Sequence, residues 1–266
     1  MKNCKVREVT CKTALSPCGL PGFKYSLNPY RGCQHGCLYC YSPSILREKR
    51  PWGSFVDVKV NIPTVLAKEL GRKVRGVTWL GSVCDAYQPV EKKYLVTRRC
   101  LGELLRVDMP VSLLTKSSLV ERDYDLISSF SDFELGFSLA YGDDSIRERL
   151  EPGASTIDER IRAASVAAGM GLAPWAFIAP IMPGYTDREG ELGRLVEKIS
   201  NSGVDRVGFD PFRPRPAVWT RLNQLSGEDP QLTSRIRAAS SNAEYYEKVA
   251  LEIKRECDRH GISLVG

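Results

Sequence analysis

Three cysteines, Cys33, Cys37 and Cys40, stand in the spacing C-x3-C-x2-C within the stretch YSLNPYRGCQHGCLYCYSP, residues 25–43. Cysteine thiolates are soft ligands, and soft ligands select zinc or an iron–sulfur cluster. A structural zinc takes four protein ligands, and this loop supplies His35 as the local candidate for the fourth. Ordinary ferredoxin clusters also use four cysteines. Three thiolates on a cubane instead leave one iron with an open coordination position, where a substrate or cofactor can bind. The spacing leaves both chemistries open: zinc completed by His35 or a distant thiol, or a cluster with one free iron. The segment before the cysteines, Tyr25 to Arg31, is extended and carries a proline. The ligands are therefore expected just past a strand end, among Gly32, Gly36 and polar side chains.

The elements that must position this loop follow from hydrophobic periodicity. Six strands that can share a sheet are expected at residues 25–29, 77–80, 111–115, 134–140, 175–179 and 204–209. A further alternating run, Phe55 to Val60, reads as a half-buried strand. Helices alternate with the strands. One spans about 63–70, with Pro63 at its start and Gly71 at its end. Others cover Glu91–Val107 and Leu119–Phe130, and a capping box of Thr156 and Glu159 opens a helix to about Ala168. Thr186 with Glu189 marks a similar start for a helix carrying Leu192, Leu195, Val196 and Ile199. From Arg221 to Gly266 the chain reads as helical, with Tyr246, Val249, Ala250, Ile253 and Cys257 on one face. Strand–helix alternation argues for a parallel sheet with helices outside. Six units are too few for a closed eight-fold barrel, so a partial, open (β/α)6 barrel with C-terminal helices is expected. A doubly wound open sheet is the alternative. The segments are an N-terminal extension (1–24), the barrel core (25–212) and a C-terminal helical part (213–266), together a single domain.

In α/β barrels chemistry gathers at the C-terminal ends of the strands. The second strand ends in GSVCDAYQPVE, residues 81–91, whose Ser82, Asp85, Tyr87 and Gln88 either point toward a cofactor or cap the next helix. Lys116 follows the third strand, where a lysine can grip a carboxylate or simply face water. Ser138 lies on the fourth strand among apolar neighbours, able to face the interior.

With Tyr39 just before the last cysteine, the cysteine motif resembles that of the radical S-adenosylmethionine (SAM) superfamily. NPYRGCQHGCLYCY (28–41), SVCDAYQPVE (82–91), LLTKSSLVERD (113–123), LEPGASTIDERI (150–161) and APIMPGYTD (179–187) resemble its spore photoproduct lyase-like branch, in the expected order. The resemblance implies the partial barrel and a 4Fe-4S cluster on Cys33, Cys37 and Cys40. It implies SAM chelating the open iron, with Tyr39 beside it, Lys116 and Ser138 in contact and Ala179 near the adenine. Ser82 and Asp85 are also expected on the cofactor side. The implied reaction is reductive cleavage of SAM to a 5′-deoxyadenosyl radical, with an electron donor such as a ferredoxin or flavodoxin. Spore photoproduct lyases are associated with a strand-two cysteine that returns a hydrogen atom to the product. Here Ser82 occupies the matching position and Cys84 stands two residues beyond, on the same face of a strand. Cys84 is either a candidate hydrogen donor or a buried thiol, with Tyr41 and Tyr87 as alternative relays, and the departure leaves the reaction's outcome open.

The chain has 266 residues, 42% apolar and 26% charged, as an ordinary globular protein does. No apolar leader opens it, and the longest apolar run, Leu172–Met182, is broken by Pro174 and Pro180. No membrane association and a cytoplasmic address are therefore expected. Of its nine cysteines, Cys4, Cys11 and Cys18 lie seven apart and match no short-loop ligand pattern, so reduced, partly buried thiols are expected. A net charge of +6 permits an acidic partner. Three functions stay open. The radical attacks a nucleobase in DNA or RNA, with Arg213, Arg215, Phe212 and Trp219 giving phosphate contact and stacking; it attacks a small molecule or peptide; or the chain is an iron–sulfur electron carrier.

Overall fold

A computed structural model describes residues 4–223 and 232–265. In chain order its strands are β1 (Lys5–Val9), β2 (Leu15–Pro17), β3 (Tyr25–Leu27), β4 (Tyr30–Arg31), β5 (Phe55–Lys59), β6 (Thr78–Leu80), β7 (Val111–Thr115), β8 (Phe133–Ser138), β9 (Trp175–Ile181), β10 (Arg206–Pro211) and β11 (Ser263–Leu264). Strands β3, β6, β7, β8, β9 and β10 lie side by side, all parallel, in that order. Parallel neighbours need a crossover connection, which the intervening helices supply. These are the six strands marked out by periodicity, the last shifted by two residues at its start. Strand β11 extends one edge in parallel, and β2 closes the other antiparallel to β3. The edge strands β2 and β11 do not pair with each other, so the sheet is open, as a partial barrel requires.

The N-terminal extension is woven into this architecture. Besides β2 on the main sheet, β1 pairs in parallel with β5, which pairs antiparallel with β4. Because β5 is the centre of that small sheet, Phe55 to Val58 are all buried rather than alternating. Asp57 is tolerated there because Arg7 and Arg50 donate to its carboxylate at 2.9–3.1 Å.

The main core joins Leu27, Leu80, Leu113, Leu135, Ile178 and Val207 of the sheet to apolar stripes of the helices. Thr156 and Glu159 form the expected capping box on the helix Ile157–Gly169. The expected helix 91–107 is instead two helices, Glu91–Tyr94 and Val96–Leu105, broken at Leu95 with φ 54°. The buried Glu91 carboxylate accepts from the Thr97 and Arg98 amides, capping the second piece and turning the chain. Between β7 and β8 a 3₁₀ turn, Ser118–Asp123, precedes a short helix, Tyr124–Ile127. Thr186 caps no helix: its hydroxyl accepts from the Met182 amide at 2.9 Å, and the helix begins later, at Glu191. In the C-terminal part, helices Leu232–Ser240 and Ala243–Arg259 form, the latter burying Val249, Ile253 and Cys257. Residues 224–231 and 266 of the expected helical stretch lie outside the described residues. Among the described residues, no helix is long and apolar enough to cross a membrane.

Candidate active site

The cysteine loop is pinned from two sides. On one, the Gln34 amide donates to Gln88 Oε1 at 2.9 Å, Gln88 Nε2 donates to the Gly32 carbonyl at 3.2 Å, and the Val90 amide donates to Gln34 Oε1 at 2.5 Å. On the other, the Leu38 amide donates to the Leu150 carbonyl and the Gly153 amide to the His35 carbonyl. Two glycines make these approaches possible. A Cβ on Gly32, at φ +91°, would lie 2.4 Å from the Phe55 carbonyl oxygen, and one on Gly153 would lie 2.1 Å from that of Gln34. Cys33 and Cys37 are buried and Cys40 is half-buried. Burial and then the Asp85 carboxylate push the Cys33 thiol well up, while burial and then Glu151 push up Cys37. The three sulfurs are within electrostatic reach of one another.

A second group of side chains meets at the strand ends beside this loop. Lys116, just past β7, donates from Nζ to Ser138 Oγ at 2.8 Å, and the ammonium lies 5.7 Å from the Tyr39 ring centre. Ser138 ends β8, and its hydroxyl is 3.4 Å from the Ala179 carbonyl on β9. Tyr39, Lys116, Ser138 and Ala179 therefore converge from four separate elements.

Beneath them lies an ion pair that the sequence reading missed. Tyr39 donates its hydroxyl to Glu151 Oε1, and Glu151 Oε2 accepts from Arg160 Nη2 at 2.5 Å. Both charged side chains are fully buried. Arg160 also donates to the Ser138 carbonyl at 2.9 Å and the Ser155 carbonyl at 3.0 Å. Burial works to raise the Glu151 carboxyl, but Arg160, Lys116 and the Tyr39 hydroxyl outweigh it and hold the group below its ordinary range. A usable signal was present: Arg160 interrupts the buried stripe Ile157, Ala163, Ala164 and Ala167 of its helix. Arg221, from the short helix Pro216–Leu222, gave no such signal. It donates to the carbonyls of Leu38, at 3.0 Å, and Cys40.

The other expected residues divide. Asn28 donates to Ser82 Oγ at 2.9 Å and accepts from the Val83 amide, with Cys84 Sγ at 3.7 Å from the same oxygen. Tyr41 donates to the Ser82 carbonyl at 2.6 Å, so Ser82, Cys84 and Tyr41 sit together next to Cys40. Cys84 is buried, which pushes its thiol up to about 12. Asp85 is a bracket beside Cys33. It accepts from Thr115 Oγ1, the Tyr87 amide and the Lys116 amide, each at 2.8 Å, and faces His35 Nδ1 at 3.4 Å. Burial opposes its charge, but His35 and these donors bring it to about 2. Tyr87 is fully buried and donates to Asp123 within a network of Glu91, Arg98 and Arg122. Phe212 is buried against Trp219, with Arg237 stacked over that indole at 4.4 Å, so Phe212 is closed to a base. Cys4 lies by Gln34, Cys11 is tied through its backbone to Asn61, and Cys18 lies toward Tyr41. These three thiols thus have separate surroundings.

Residues 27–196 match the radical SAM superfamily. The chain belongs to that superfamily and is a radical enzyme. Within it, an uncharacterized protein of Methanocaldococcus jannaschii is 34% identical over 191 residues, 71% of this chain and 72% of that one. A protein of Pseudomonas phage M6, named a radical SAM Nalpha-GlyT isomerase, is 24% identical over 207 residues, 76% of this chain and 43% of that protein. The fold is that of spore photoproduct lyase. A variant of that lyase with AdoMet and dinucleoside spore photoproduct bound has a TM-score of 0.73 at 17% identity, covering 97% of this chain and 81% of the other.

The superfamily implies SAM and a 4Fe-4S cluster, and the residues fit them. Buried thiols kept protonated by their surroundings give up that proton when a metal supplies positive charge in its place. Among the described residues, no three His, Cys, Asp or Glu side chains gather as ligands of one ion. In a cubane each cysteine binds a different iron, so three thiols on one short loop can serve three of its four irons.

Proposed function

We propose that the chain cleaves SAM reductively at a 4Fe-4S cluster held by Cys33, Cys37 and Cys40, and that its substrate is a nucleobase in DNA or RNA. The observation that carries this reading is the convergence of Lys116, Ser138, Ala179 and Tyr39 beside the three-cysteine loop. When bound, the cluster and SAM supply a 5′-deoxyadenosyl radical that takes a hydrogen atom from the substrate. Lys116, steered by Ser138 and the Tyr39 ring, offers a cation to the SAM carboxylate. Ala179 lines the wall expected to receive the adenine. Tyr39 is fixed by Glu151, so the loop keeps its shape against the strand ends. Cys84 returns a hydrogen atom to the product radical and is left as a thiyl radical, which one electron from the donor and a proton restore to the thiol. Its raised pKa keeps the S–H bond intact at neutral pH, and Tyr41 beside it is the alternative relay. A ferredoxin or flavodoxin supplies the electron.

One fact about another protein favours a nucleobase: the lyase of this fold was solved with a dinucleoside spore photoproduct. Arg213 and Arg215 remain for phosphate contact, although Arg213 is already paired with Asp210 at 2.7 Å. The test is to measure 5′-deoxyadenosine from reconstituted, reduced protein with and without single-stranded and duplex oligonucleotides, at two salt concentrations. Stimulation that weakens with salt supports the reading. Oligonucleotides that neither bind nor stimulate would assign the radical to a small molecule or peptide.

A further inference from the structure

Just past β8, Tyr141 is 1% exposed, and among the described residues its hydroxyl has no hydrogen-bond partner. Folded proteins leave few buried hydroxyls in that state, because such a group has lost water without compensation. Its ring belongs to a second apolar cluster, with Leu150, Met182 and Leu222, against which Leu38 and Tyr39 of the cysteine loop pack. The phenol is within electrostatic reach of the Glu151 carboxylate and the Cys37 sulfur. Glu151 already has a donor on each oxygen, Tyr39 on one and Arg160 on the other. Cys37 as a thiol is a weak acceptor. Once it exchanges its proton for iron, its sulfur carries negative charge, and hydrogen bonds to charged acceptors are the stronger kind.

We propose that Tyr141 donates its hydroxyl hydrogen to the Cys37 sulfur when the cluster is in place, and thereby raises the cluster's reduction potential. Hydrogen bonds to cluster sulfurs are among the determinants of that potential, since they stabilise the added electron. Lys116 and Arg160 near Cys37, and Arg221 near Cys37 and Cys40, act in the same direction through charge. Tyr141 differs from them because its partner exists only in the loaded protein. It is a positioning and tuning residue that sets how readily the donor reduces the cluster. The inference rests on the iron–sulfur reading above.

The test is Tyr141→Phe, which keeps the ring in its apolar cluster and removes only the hydroxyl. Full-length protein is reconstituted anaerobically, its iron counted, and its potential measured without SAM by redox titration followed by electron paramagnetic resonance. The expected result is wild-type iron content with a more negative potential. The reduced-to-oxidised ratio at a fixed potential falls about tenfold, which is about 59 mV for a one-electron couple. In wild-type protein the Fe–S(Cys) stretching bands shift in deuterium oxide, and part of that shift disappears in the variant. A fully loaded variant of unchanged potential overturns the inference while leaving the iron–sulfur reading intact. Should the variant load poorly, the wild-type spectra decide, and no deuterium-sensitive Fe–S(Cys) band refutes the hydrogen bond. Wild-type protein that takes up no iron ends both.

Discussion

Replacing Arg160 by methionine would strip a fully buried carboxylate of its counter-ion. Glu151 would keep the Tyr39 hydroxyl, but the 2.5 Å contact from Arg160 would be gone. The carbonyls of Ser138 and Ser155 would lose their donor at the same stroke. Breaking a buried pair from one side costs about 3–5 kcal/mol. For a domain of this size each kcal/mol moves the melting temperature by roughly 2–4 °C, so the expected drop is roughly 6–20 °C. The assay is thermal unfolding of the apoprotein followed by circular dichroism, for Arg160→Met, Glu151→Gln and the double variant. Glutamine retains an acceptor for Tyr39 without the charge, so the double variant should be more stable than the sum of the two singles. The coupling should be at least about 1 kcal/mol. The pH dependence has a definite sign. The folded Glu151 carboxyl lies below its ordinary 4.5, so its contribution is present above that pH and is lost on acidification through the lower folded value. That acid sensitivity should shrink in Arg160→Met. A single variant melting within about 2 °C of wild type, or strict additivity in the double, would refute the argument that a buried charge governs this site.

The same geometry sets other outcomes. Lys116→Met removes the cation held by Ser138. It should weaken SAM binding to the loaded protein by roughly ten- to a hundredfold, the range expected for a hydrogen bond to a charged group, while leaving iron content unchanged; calorimetry with SAM decides, and equal affinities would remove Lys116 from the site. Gly153→Ala places a methyl 2.1 Å from the Gln34 carbonyl oxygen. It should lower both melting temperature and iron per chain, by about 1–3 kcal/mol in stability; full loading with an unchanged melt would contradict the tight approach. Asp85, brought from 3.8 to about 2, stabilises the fold above pH 3.8 and loses that contribution as pH falls toward 2. Asp85→Asn should flatten denaturant-measured stability across that window, and parallel curves for the two proteins would count against the bracket role.

Much of this was legible in the sequence because it depends on local pattern. The six parallel strands show themselves through apolar runs, and the Thr156–Glu159 cap through two residues three apart. Other features depend on partners far along the chain or on a turn that periodicity does not register. Leu95 breaks a helix because the Glu91 carboxylate caps the helix Val96–Leu105, and Thr186 turns back to Met182 instead of starting a helix. The full burial of β5 comes from its pairing with β1, which a short exposed strand near the N-terminus did not announce. In the site, the cysteines, Tyr39, Lys116, Ser138 and Ala179 came together as the motifs suggested. Asp85 lies beside Cys33 with its carboxylate taken up by protein donors, and Tyr87 is tied to Asp123, since polar residues at a strand end serve equally as scaffold. Arg221 grips the loop across 183 residues of chain, a contact no local pattern can reveal.

The measurement that bears most directly on the central claim uses protein reconstituted without oxygen and reduced with dithionite. Iron content and 5′-deoxyadenosine formed from SAM are quantified for wild type and Cys37→Ala. About four irons per wild-type chain are expected, with deoxyadenosine that disappears in the variant. Zinc in place of iron, or deoxyadenosine formed equally by Cys37→Ala, would contradict the claim.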